Sequence, residues 1–498
     1  MKKQLFLFVL MMLPLVVSAE FVKIDGIYYK LNSETKTAEV TSDPDNINNK
    51  YSGSVVIPES VISKSARYSV TSIGDFPGGI DLISVTIPES VITIGNDAFG
   101  GCAGLTSMTI PESVTTIGNG AFSGCTGLTS MTIPSSATSI GERAFSGCSG
   151  LTSVTIGSGV TTIGRDAFRD CSSLTSVNII DLKAWCNISF GSSFPSHHLY
   201  LDGQEVKHLV IPDGVTSISE DAFHRCIGLT SVTIPNSVTY IGESAFMHCT
   251  GLTSLTIPNS VITIDHEAFE DCSGLNYIVI GNGVTTIGGE TFKDCDNLNY
   301  VVIGSGVKTI WGLAFGNNNK LTDVYCYAET VPTTDATAFK KTYIENATLH
   351  VPEASVESYK NAIPWSGFGS IVALNGDVVP VTIPKCETPT ISFVNGKVTF
   401  TCKTDGVEFI SQITASDAKN YYDSNIVLTN KYTVNVYASK EGYENSDTVT
   451  KEITIGGNSV EGSGVFGDIN GDGVVNAADI VQIANIIMGN KVKLVTPL

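Results

Sequence analysis

A short acidic stretch near the C-terminal end of the chain, GDINGDGVVNAADI, combines residue types and spacing that could hold a metal ion. Counted from Asp468, oxygen-bearing side chains fall at loop positions 1, 3, 5, 9 and 12, and Gly473 stands at position 6, where such a loop turns sharply. Ca²⁺ prefers about six to eight oxygen ligands. The stretch therefore predicts a calcium site with the ligands Asp468, Asn470, Asp472, Val474 (through its carbonyl), Asn476 and Asp479.

Cysteine is the second residue type with a chemically suggestive spacing, because it recurs at every twenty-third position in two series. The eight positions are Cys102, Cys125, Cys148, Cys171, Cys226, Cys249, Cys272 and Cys295. On neighbouring strands of a sheet, consecutive members would lie ~5 Å apart, a distance that a disulfide tolerates. No paired C-x-x-C or His accompanies them, which argues against zinc. We therefore expect free, buried thiols, and disulfides between neighbours are the alternative.

These cysteines belong to a longer repeat that phenylalanine also follows. The phenylalanines in step are Phe99, Phe122, Phe145, Phe168, Phe223, Phe246, Phe269, Phe292 and Phe315. One unit reads L-T-S-V-T-I-P-x-S-V-T-x-I-G-x-x-A-F-x-x-C-x-x. A single unit cannot bury its apolar side alone, so the strict period predicts a solenoid in which each coil packs on the next. Alternation in the TSVTI segment predicts a strand with Met108 and Ile110 pointing inward.

The pattern L-x-x-[VI]-x-[IL]-P…I-G-x-x-A-F-x-x-C resembles the BspA-type leucine-rich repeats of bacterial surface proteins, from about Val55 to Val324. The resemblance implies adhesion, because proteins of this type are associated with binding to host matrix proteins such as fibronectin and fibrinogen and with bacterial co-aggregation. The sequence carries no zinc-protease, α/β-hydrolase, phosphate-loop or dinucleotide motif. We therefore expect a binding protein and not an enzyme.

The outward face of the predicted sheet changes along the chain. Most units present Ser and Thr, as at Ser130 and Thr132, whereas the last three units present mainly aromatic and apolar side chains. The predicted partner-binding residues are Tyr277, Val279, Tyr300, Val302, Asp323 and Tyr325. They would lie on the concave sheet that solenoids use for binding. The alternative is that the segment from Thr330 onward folds over these units and buries the tyrosines.

One unit breaks the period, because the step between strands lengthens from 23 to 32 residues between Ser176 and His208. The insertion replaces the usual corner and is expected to bulge at the side of the solenoid. Two interpretations stay open: a local apolar cap formed by Trp185, Phe190 and Phe194, or a ligand-contacting lip formed by His197, His198 and Tyr200.

The 498 residues carry a formal net charge of −20. Nucleic acids and acidic membrane surfaces select patches of Lys and Arg, so the charge argues against both as partners. Residues 1–19 have the pattern of a signal peptide, with Lys2 and Lys3 before an apolar run and Val17-Ser18-Ala19 as the cleavage site. No later stretch approaches the ~20 apolar residues of a transmembrane segment. The mature chain is expected to be secreted or held at the cell surface.

The C-terminal part changes character. From about Pro380 to Ile455, alternating strands and turn signals predict a small immunoglobulin-like or fibronectin-like β-sandwich. The calcium stretch and the helix-like IVQIANIIMG after it resemble one half of a type I dockerin, the module that docks onto a cohesin in polysaccharide-degrading complexes. Dockerins carry two such segments, and their recognition positions are here Ala477 and Ala478. We therefore expect calcium binding rather than docking to a cohesin-like partner, and the alternative function is a non-catalytic scaffold or glycan-handling component of a polysaccharide-degrading system.

Together these patterns predict a mainly β protein: a leucine-rich-repeat solenoid of 23-residue repeats, a small β-sandwich and a single calcium loop with its helix. The predicted boundaries are 1–19 for the signal peptide, 20–79 for the N-terminal cap and first irregular repeat, 80–328 for the solenoid, 329–376 for the C-terminal cap, 377–456 for the sandwich, 457–466 for a Gly/Ser linker and 467–490 for the half-dockerin-like segment.

Overall fold

The structure, a computed structural model, is mainly β with very little helix. It describes residues 20–46, 50–192, 194–374, 388–394, 397–403, 408–422, 425–439, 448–455 and 493–495. The predicted signal peptide (1–19), linker (457–466) and calcium segment (467–490) lie outside the described residues. Among the described helices, none has the length and the hydropathy of a membrane span. The chain divides into two compact units, Met1–His197 with Ile218–Arg225, and His198–Ser217 with Cys226–Leu498.

The first unit begins with an antiparallel meander of three strands and continues as stacked coils. Its elements are β1 (Glu20–Ile24), β2 (Ile27–Asn32), β3 (Thr37–Thr41), β4 (Gly53–Val56), β5 (Ser60–Ser63), β6 (Ala66–Ile73), β7 (Leu82–Thr86), β8 (Thr93–Ile94), β9 (Ser107–Met108), β10 (Thr116–Ile117), β11 (Ser130–Ile133), β12 (Ser139–Ile140), β13 (Ser153–Ile156), β14 (Thr162–Ile163), β15 (Ser176–Ile179), the short helix α1 (Leu182–Trp185) and β16 (Ser189–Phe190). Strands β4, β7 and β9, and strands β11, β13 and β15, pair in parallel as front strands. Strands β6, β8, β10, β12, β14 and β16 pair in parallel as rear strands.

A ladder of buried phenylalanine rings fills the interior between the front and rear strands. The rings of Phe99, Phe122 and Phe145 stack with centroid distances of 5.3 and 5.0 Å. The consensus glycine after most rear strands permits the coils to approach, because a Cβ on Gly118 would lie 2.5 Å from the carbonyl carbon of Gly95. The Phe and Gly positions of the repeat therefore set how one coil stacks on the next, and the predicted solenoid is confirmed.

The next elements in the chain are β17 (His198–Leu201), β18 (Gln204–Glu205), β19 (His208–Val210), β20 (Ser217–Ile218), β21 (Ser231–Thr233), β22 (Tyr240–Ile241), β23 (Ser254–Ile257), β24 (Thr263–Ile264), β25 (Tyr277–Ile280), β26 (Thr286–Ile287), β27 (Tyr300–Ile303), β28 (Thr309–Ile310), β29 (Asp323–Cys326), β30 (Thr333–Thr334), β31 (Thr348–Val351), α2 (Val356–Lys360) and β32 (Ser370–Ala373). In the second unit the front sheet has the order β23-β25-β27-β29-β31-β32, and β22, β24, β26, β28 and β30 form the rear sheet. Three 3₁₀ turns lie at Ile344–Asn346, Glu353–Ser355 and Trp365–Gly367.

The segment 329–376, predicted as a C-terminal cap, continues the stack over its described residues, 329–374. They supply β30 to the rear sheet and β31 and β32 to the front sheet. The ring of Phe339 stacks on that of Phe315 at 5.4 Å. The pairing of Asp323 with Thr348 and of Thr348 with Ser370 gives steps of 25 and then 22 residues. This change of period explains why the repeat is lost from the sequence pattern before it is lost from the structure.

The remaining described strands are β33 (Thr390–Val394), β34 (Lys397–Thr401), β35 (Glu408–Tyr422), β36 (Asn425–Ser439), β37 (Val449–Ile455) and β38 (Lys493–Val495). Strands β33 and β34 form an antiparallel hairpin in which Val394 pairs with Lys397. Strands β37, β36, β35 and β38 form a four-stranded sheet. The Lys451 ammonium donates to the carbonyl of Ile391 at 3.0 Å, which links β37 to the hairpin.

Candidate binding surface

The six predicted binding residues lie on three consecutive front strands of the second unit, β25, β27 and β29. The strands pair in parallel without a shift, so equivalent residues of neighbouring coils stand side by side. Both sets of three point away from the core, because alternate side chains of a strand face opposite sides and the residues between them are buried. The two rows are Tyr277, Tyr300 and Asp323, and Val279, Val302 and Tyr325.

Tyr277 and Tyr300 form a stacked pair. Their ring centroids are 5.2 Å apart and the ring planes differ by 2°. Both side chains are half-buried, and within the described part of the chain their hydroxyls form no hydrogen bond to a protein group. Burial raises the pKa of Tyr300, and the neighbouring phenols of Tyr277 and Tyr325 add to the effect. The pair therefore presents two stacked rings, and their hydroxyl groups are left to bind a partner.

Tyr325 stacks on a residue that the sequence analysis did not select. The ring of His350 lies 4.2 Å from that of Tyr325 at an angle of 9°, and its Nε2 is 3.0 Å from Oδ1 of Asp323. Tyr325 is only 9% exposed and Val302 only 5% exposed. The expectation that these two residues belong to an exposed patch is wrong, because both are buried, and the ring of His350 lies against that of Tyr325. The open part of the surface consists of Tyr277, Val279, Tyr300 and Asp323.

The alternative, in which the segment from Thr330 onward covers the tyrosines, holds for one ring. Strand β31 pairs with β29 and thereby brings His350 onto Tyr325. Both β31 and β32 extend the front sheet sideways. Tyr277 and Tyr300 stack on each other, and within the described part of the chain neither ring stacks on a third one. The signal that could have found His350 is the alternation in TLHVP, which the changed period conceals.

The cysteine ladder belongs to the interior. The described cysteines are not in disulfides, and those of the repeat slot are all buried. The thiols of Cys125 and Cys148 donate to the carbonyls of Phe99 and Phe122, both at 3.1 Å. Burial raises the pKa of Cys272 well above its ordinary value, so its reactive thiolate is disfavoured. These cysteines therefore fill the stack and bond its backbone, as expected for free, buried thiols.

The aromatic residues of the irregular coil pack as a local cluster. The ring of Trp185 lies 5.2 Å from that of Phe190 and 5.8 Å from that of Phe194. All three side chains are buried, and the indole N–H of Trp185 donates to the carbonyl of Ala222 at 2.7 Å. Of the two interpretations of this coil, the arrangement corresponds to the local apolar cap.

The histidines of the same coil each lie close to a group a few residues away in the sequence. His197 is buried, and its Nδ1 is 2.8 Å from the carbonyl oxygen of Pro195. His198 is half-buried, with Nδ1 2.8 Å from Oε1 of Glu205, and Tyr200 is also half-buried. The hydrogen bond from His198 lowers the pKa of Glu205. His198 is therefore engaged within its own hairpin.

The predicted calcium ligands, from Asp468 to Asp479, lie outside the described residues. Among the described residues, the carboxylates of Glu267, Glu270 and Glu290 lie within 4.8 Å of one another. The ammonium of Lys293 sits among them, 2.7 Å from Oε1 of Glu270. Burial disfavours the charged ammonium, but hydrogen bonds to Glu270 and Glu290 outweigh it and raise the pKa of Lys293. This cluster therefore already holds a protein cation.

Comparison with known proteins identifies the repeat. The profile of the BspA type leucine rich repeat region matches in six copies, over residues 72–194, 197–322 and 241–362. A solved leucine-rich repeat protein from Bacteroides ovatus is similar, with 27% identity, 70% of this chain and 99% of that chain covered, and a TM-score of 0.44. The same comparison finds a leucine rich cell surface protein from Faecalibacterium prausnitzii (22% identity, 72% and 96% covered, TM-score 0.35). It also finds the pneumococcal vaccine antigen PcpA (17% identity, 72% and 99% covered, TM-score 0.47). No curated protein sequence matches the chain.

Proposed function

The chain belongs to the family of proteins with BspA-type leucine-rich repeats, and on this premise we propose that it binds an extracellular protein or glycoprotein through the front sheet of its second unit. The observation that carries the proposal is the stacked pair of Tyr277 and Tyr300, which replaces the Ser and Thr found at the same positions of other coils. Coil formation does not require these rings, since units with serine at that position stack equally well. Their presence therefore supports a role in recognition.

The geometry suits a protein partner. Tyrosine supplies a large contact area at a small entropic cost, because its side chain has two rotatable angles, and stacking restricts these further. Val279 adds apolar area beside the rings, and Asp323, held by His350, gives the patch a polar edge. An aromatic centre with a polar rim is the usual arrangement of an interface hot spot.

The family resemblance suggests fibronectin or fibrinogen as the partner, and direct capture tests this. The mature chain, residues 20–498, is immobilised and exposed to each protein and to a panel of complex glycans. The test variant carries Tyr277→Ser and Tyr300→Ser, because serine occupies this position at Ser254 in the preceding coil. We expect the variant to bind at least on the order of 30-fold more weakly.

The matched control carries Ser130→Ala and Ser153→Ala, the equivalent positions of the first unit. It should bind like the wild type, and thermal melting should show all three proteins folded. Equal capture by wild type and tyrosine variant would exclude the tyrosine pair as the binding surface. Capture of glycans alone would move the function to the polysaccharide-degrading system.

We also propose that residues 1–19 direct export and that the mature protein, without catalytic activity, acts outside the cell or on its surface. The support for export is the charged start, the apolar run and the small residues before position 20. Loss of extracellular protein on deletion of residues 4–17 would support this assignment, and unchanged export would contradict it.

Residues 468–479 support a second proposal, that the tail binds Ca²⁺ through Asp468, Asn470, Asp472, Val474, Asn476 and Asp479. Calorimetric titration of the mature chain with Ca²⁺ tests it, and Asp472→Ala should abolish the heat of binding. Deletion of residues 467–498 separates the two functions. Matrix-protein binding should survive the deletion, whereas assembly into a polysaccharide-degrading complex should be lost.

A further inference from the structure

A second exposed aromatic patch lies on the rear sheet of the second unit and is independent of the tyrosine pair. It consists of Tyr240, which is 37% exposed, Trp311, which is 50% exposed, and His266, whose side chain is 55% exposed. We name these three residues the corner patch. The other two tryptophans of the chain, Trp185 and Trp365, are fully buried. Trp311 is therefore a large apolar side chain that the fold leaves in solvent.

Two of the three residues depart from the repeat. Tyr240 stands where the following coils have Thr263 and Thr286, with which it is aligned through the rear sheet. Trp311 follows β28 at the position that Gly288 occupies after β26. The stack needs no aromatic residue at either position, because coils with the consensus residue form the same strands. Departures from a regular pattern that the fold does not require favour a functional role.

Asp265 holds two of the rings in place. The hydroxyl of Tyr240 donates to Oδ2 of Asp265, and Nδ1 of His266 lies 2.7 Å from Oδ1. Burial would raise the pKa of Asp265, but hydrogen bonds from Tyr240 and His266 outweigh it and lower the pKa. An ionised carboxylate only accepts, so Nδ1 of His266 carries a proton and donates it to Asp265. The patch therefore offers a ligand ring faces around an ionised carboxylate.

The coil between His266 and Trp311 leaves room for the two rings. It carries Gly288 and Gly289, both buried, and the imidazole and indole centroids are 6.5 Å apart. A Cβ on Gly289 would lie 3.2 Å from Cδ2 of His266. The imidazole thus lies against Gly289, and the indole stands beside it at an angle of 39°.

The surroundings of the corner patch are strongly acidic. Residues 240–313 contain eight carboxylates and two lysines. Glu243 is exposed and occupies the position equivalent to His266 in the preceding coil. Glu290 follows Gly288 and Gly289 in the sequence. Of the two lysines, Lys293 is held by Glu270 and Glu290, and Lys308 is exposed three residues before Trp311. The formal charge of this stretch is therefore negative, as is that of the whole chain.

We propose that the corner patch docks a basic segment of a partner protein, with an Arg or Lys side chain seated on the indole of Trp311. Aromatic faces attract cations, most strongly in the case of Trp. Guanidinium and ammonium groups only donate, which matches the ionised carboxylate of Asp265 between the rings of Tyr240 and His266. The surrounding carboxylates complement the charge of such a segment and accelerate its encounter. A neutral glycan would use the ring but none of this charge.

Trp311 also allows binding to be followed by fluorescence, because it is exposed whereas the other two tryptophans are buried. The mature chain is titrated with an oligo-arginine peptide while tryptophan emission and its quenching by acrylamide are recorded. We expect saturable binding that shields Trp311 from acrylamide and that weakens between about 0.05 and about 0.5 M salt. A matched oligo-glutamate peptide and a neutral malto-oligosaccharide should have no effect. Absence of saturable binding at low salt, or protection by the oligosaccharide, would overturn the proposal.

Variants separate the ring from the charge, with affinity measured by anisotropy of labelled oligo-arginine. Trp311→Gly restores the residue of the neighbouring coil, and Trp311→Leu keeps apolar bulk without an aromatic face, so the test survives if one of them folds poorly. Both should bind about five- to thirtyfold more weakly. Tyr277→Ser with Tyr300→Ser should leave this binding unchanged, which keeps the result independent of the proposed function. Wild-type affinity in both Trp311 variants would show adsorption by charge alone and refute the site.

Discussion

In the front sheet of each unit, neighbouring strands pair in the same register. The two sheets differ in the side chains that they present to solvent. In the first unit Ser130 pairs with Ser153, and in the second Tyr277 pairs with Tyr300 at the same place in the coil. Behind both rows the phenylalanine rings stack at similar distances, 5.0 Å for Phe122 on Phe145 in one unit and 5.1 Å between the equivalent rings of the other. The positions that build the coil are thus separate from those that meet a partner, so one can change without the other.

The largest effect is expected from removing a phenylalanine ring of the core, which both units have in common. Phe145→Ala in the first unit and Phe269→Ala in the second each delete a fully buried ring with a stacked neighbour on both sides. Each should lower the free energy of unfolding by about 3–5 kcal/mol, measured by urea denaturation. Similar losses of unfolding free energy in the two variants would support equivalent cores in the two units. A loss in one variant alone would show that the two cores are not equivalent.

The shared thiol ladder gives a pH-dependent test. Burial raises the pKa of Cys272, whereas in the unfolded chain a thiol has a pKa of about 8.5. Its contribution to stability is therefore complete below about pH 8.5 and is lost as pH rises towards the folded pKa. Each such thiol should lower the free energy of unfolding by about 1.4 kcal/mol per pH unit above that value.

The variant Cys272→Ser keeps a small donor at this position and removes the titrating group. It should flatten the alkaline part of the stability curve by about one thiol's share. Cys148→Ser is the matched variant of the first unit, because a hydrogen bond with the thiol of Cys171, together with burial, also raises the pKa of Cys148. An unchanged slope in either variant would mean that its thiol is open to solvent in the folded state.

The sequence was sufficient for the fold wherever the period held. Spacing alone located the buried Phe and Cys positions and the outward rows, since a 23-residue step repeats the same environment in every coil. It failed beyond Asp323, where the step becomes 25 and then 22 residues. That change hid strand β31, and with it His350, which covers the ring of Tyr325. The exposure of a side chain at the end of a pattern depends on the next strand, and no pattern remained there to predict it.

A graft tests whether the outward row is interchangeable. Ser130→Tyr with Ser153→Tyr would place two rings on paired residues of the first unit, as Tyr277 and Tyr300 stand in the second. The double variant should fold, and its double-mutant cycle should show a favourable coupling of about 0.5–1.5 kcal/mol from stacking. Each single variant is its own control. A coupling near zero would mean that the first unit cannot hold the pair as the second does.

The smallest expected effect marks the boundary of the open surface. His350→Ala removes the ring on Tyr325 and the partner of Asp323, and it should cost about 1 kcal/mol of folding free energy. Burial raises the pKa of Tyr325, so exposing the phenol should move its pKa down towards the ordinary value of about 10. The difference between absorbance titrations of His350→Ala and of His350→Ala with Tyr325→Phe isolates this phenol. A falling pKa together with stronger capture of the partner would show that His350 limits the surface at Tyr300. An unchanged pKa would mean that other groups cover Tyr325, and the contrast between the two front sheets would then rest on Tyr277 and Tyr300 alone.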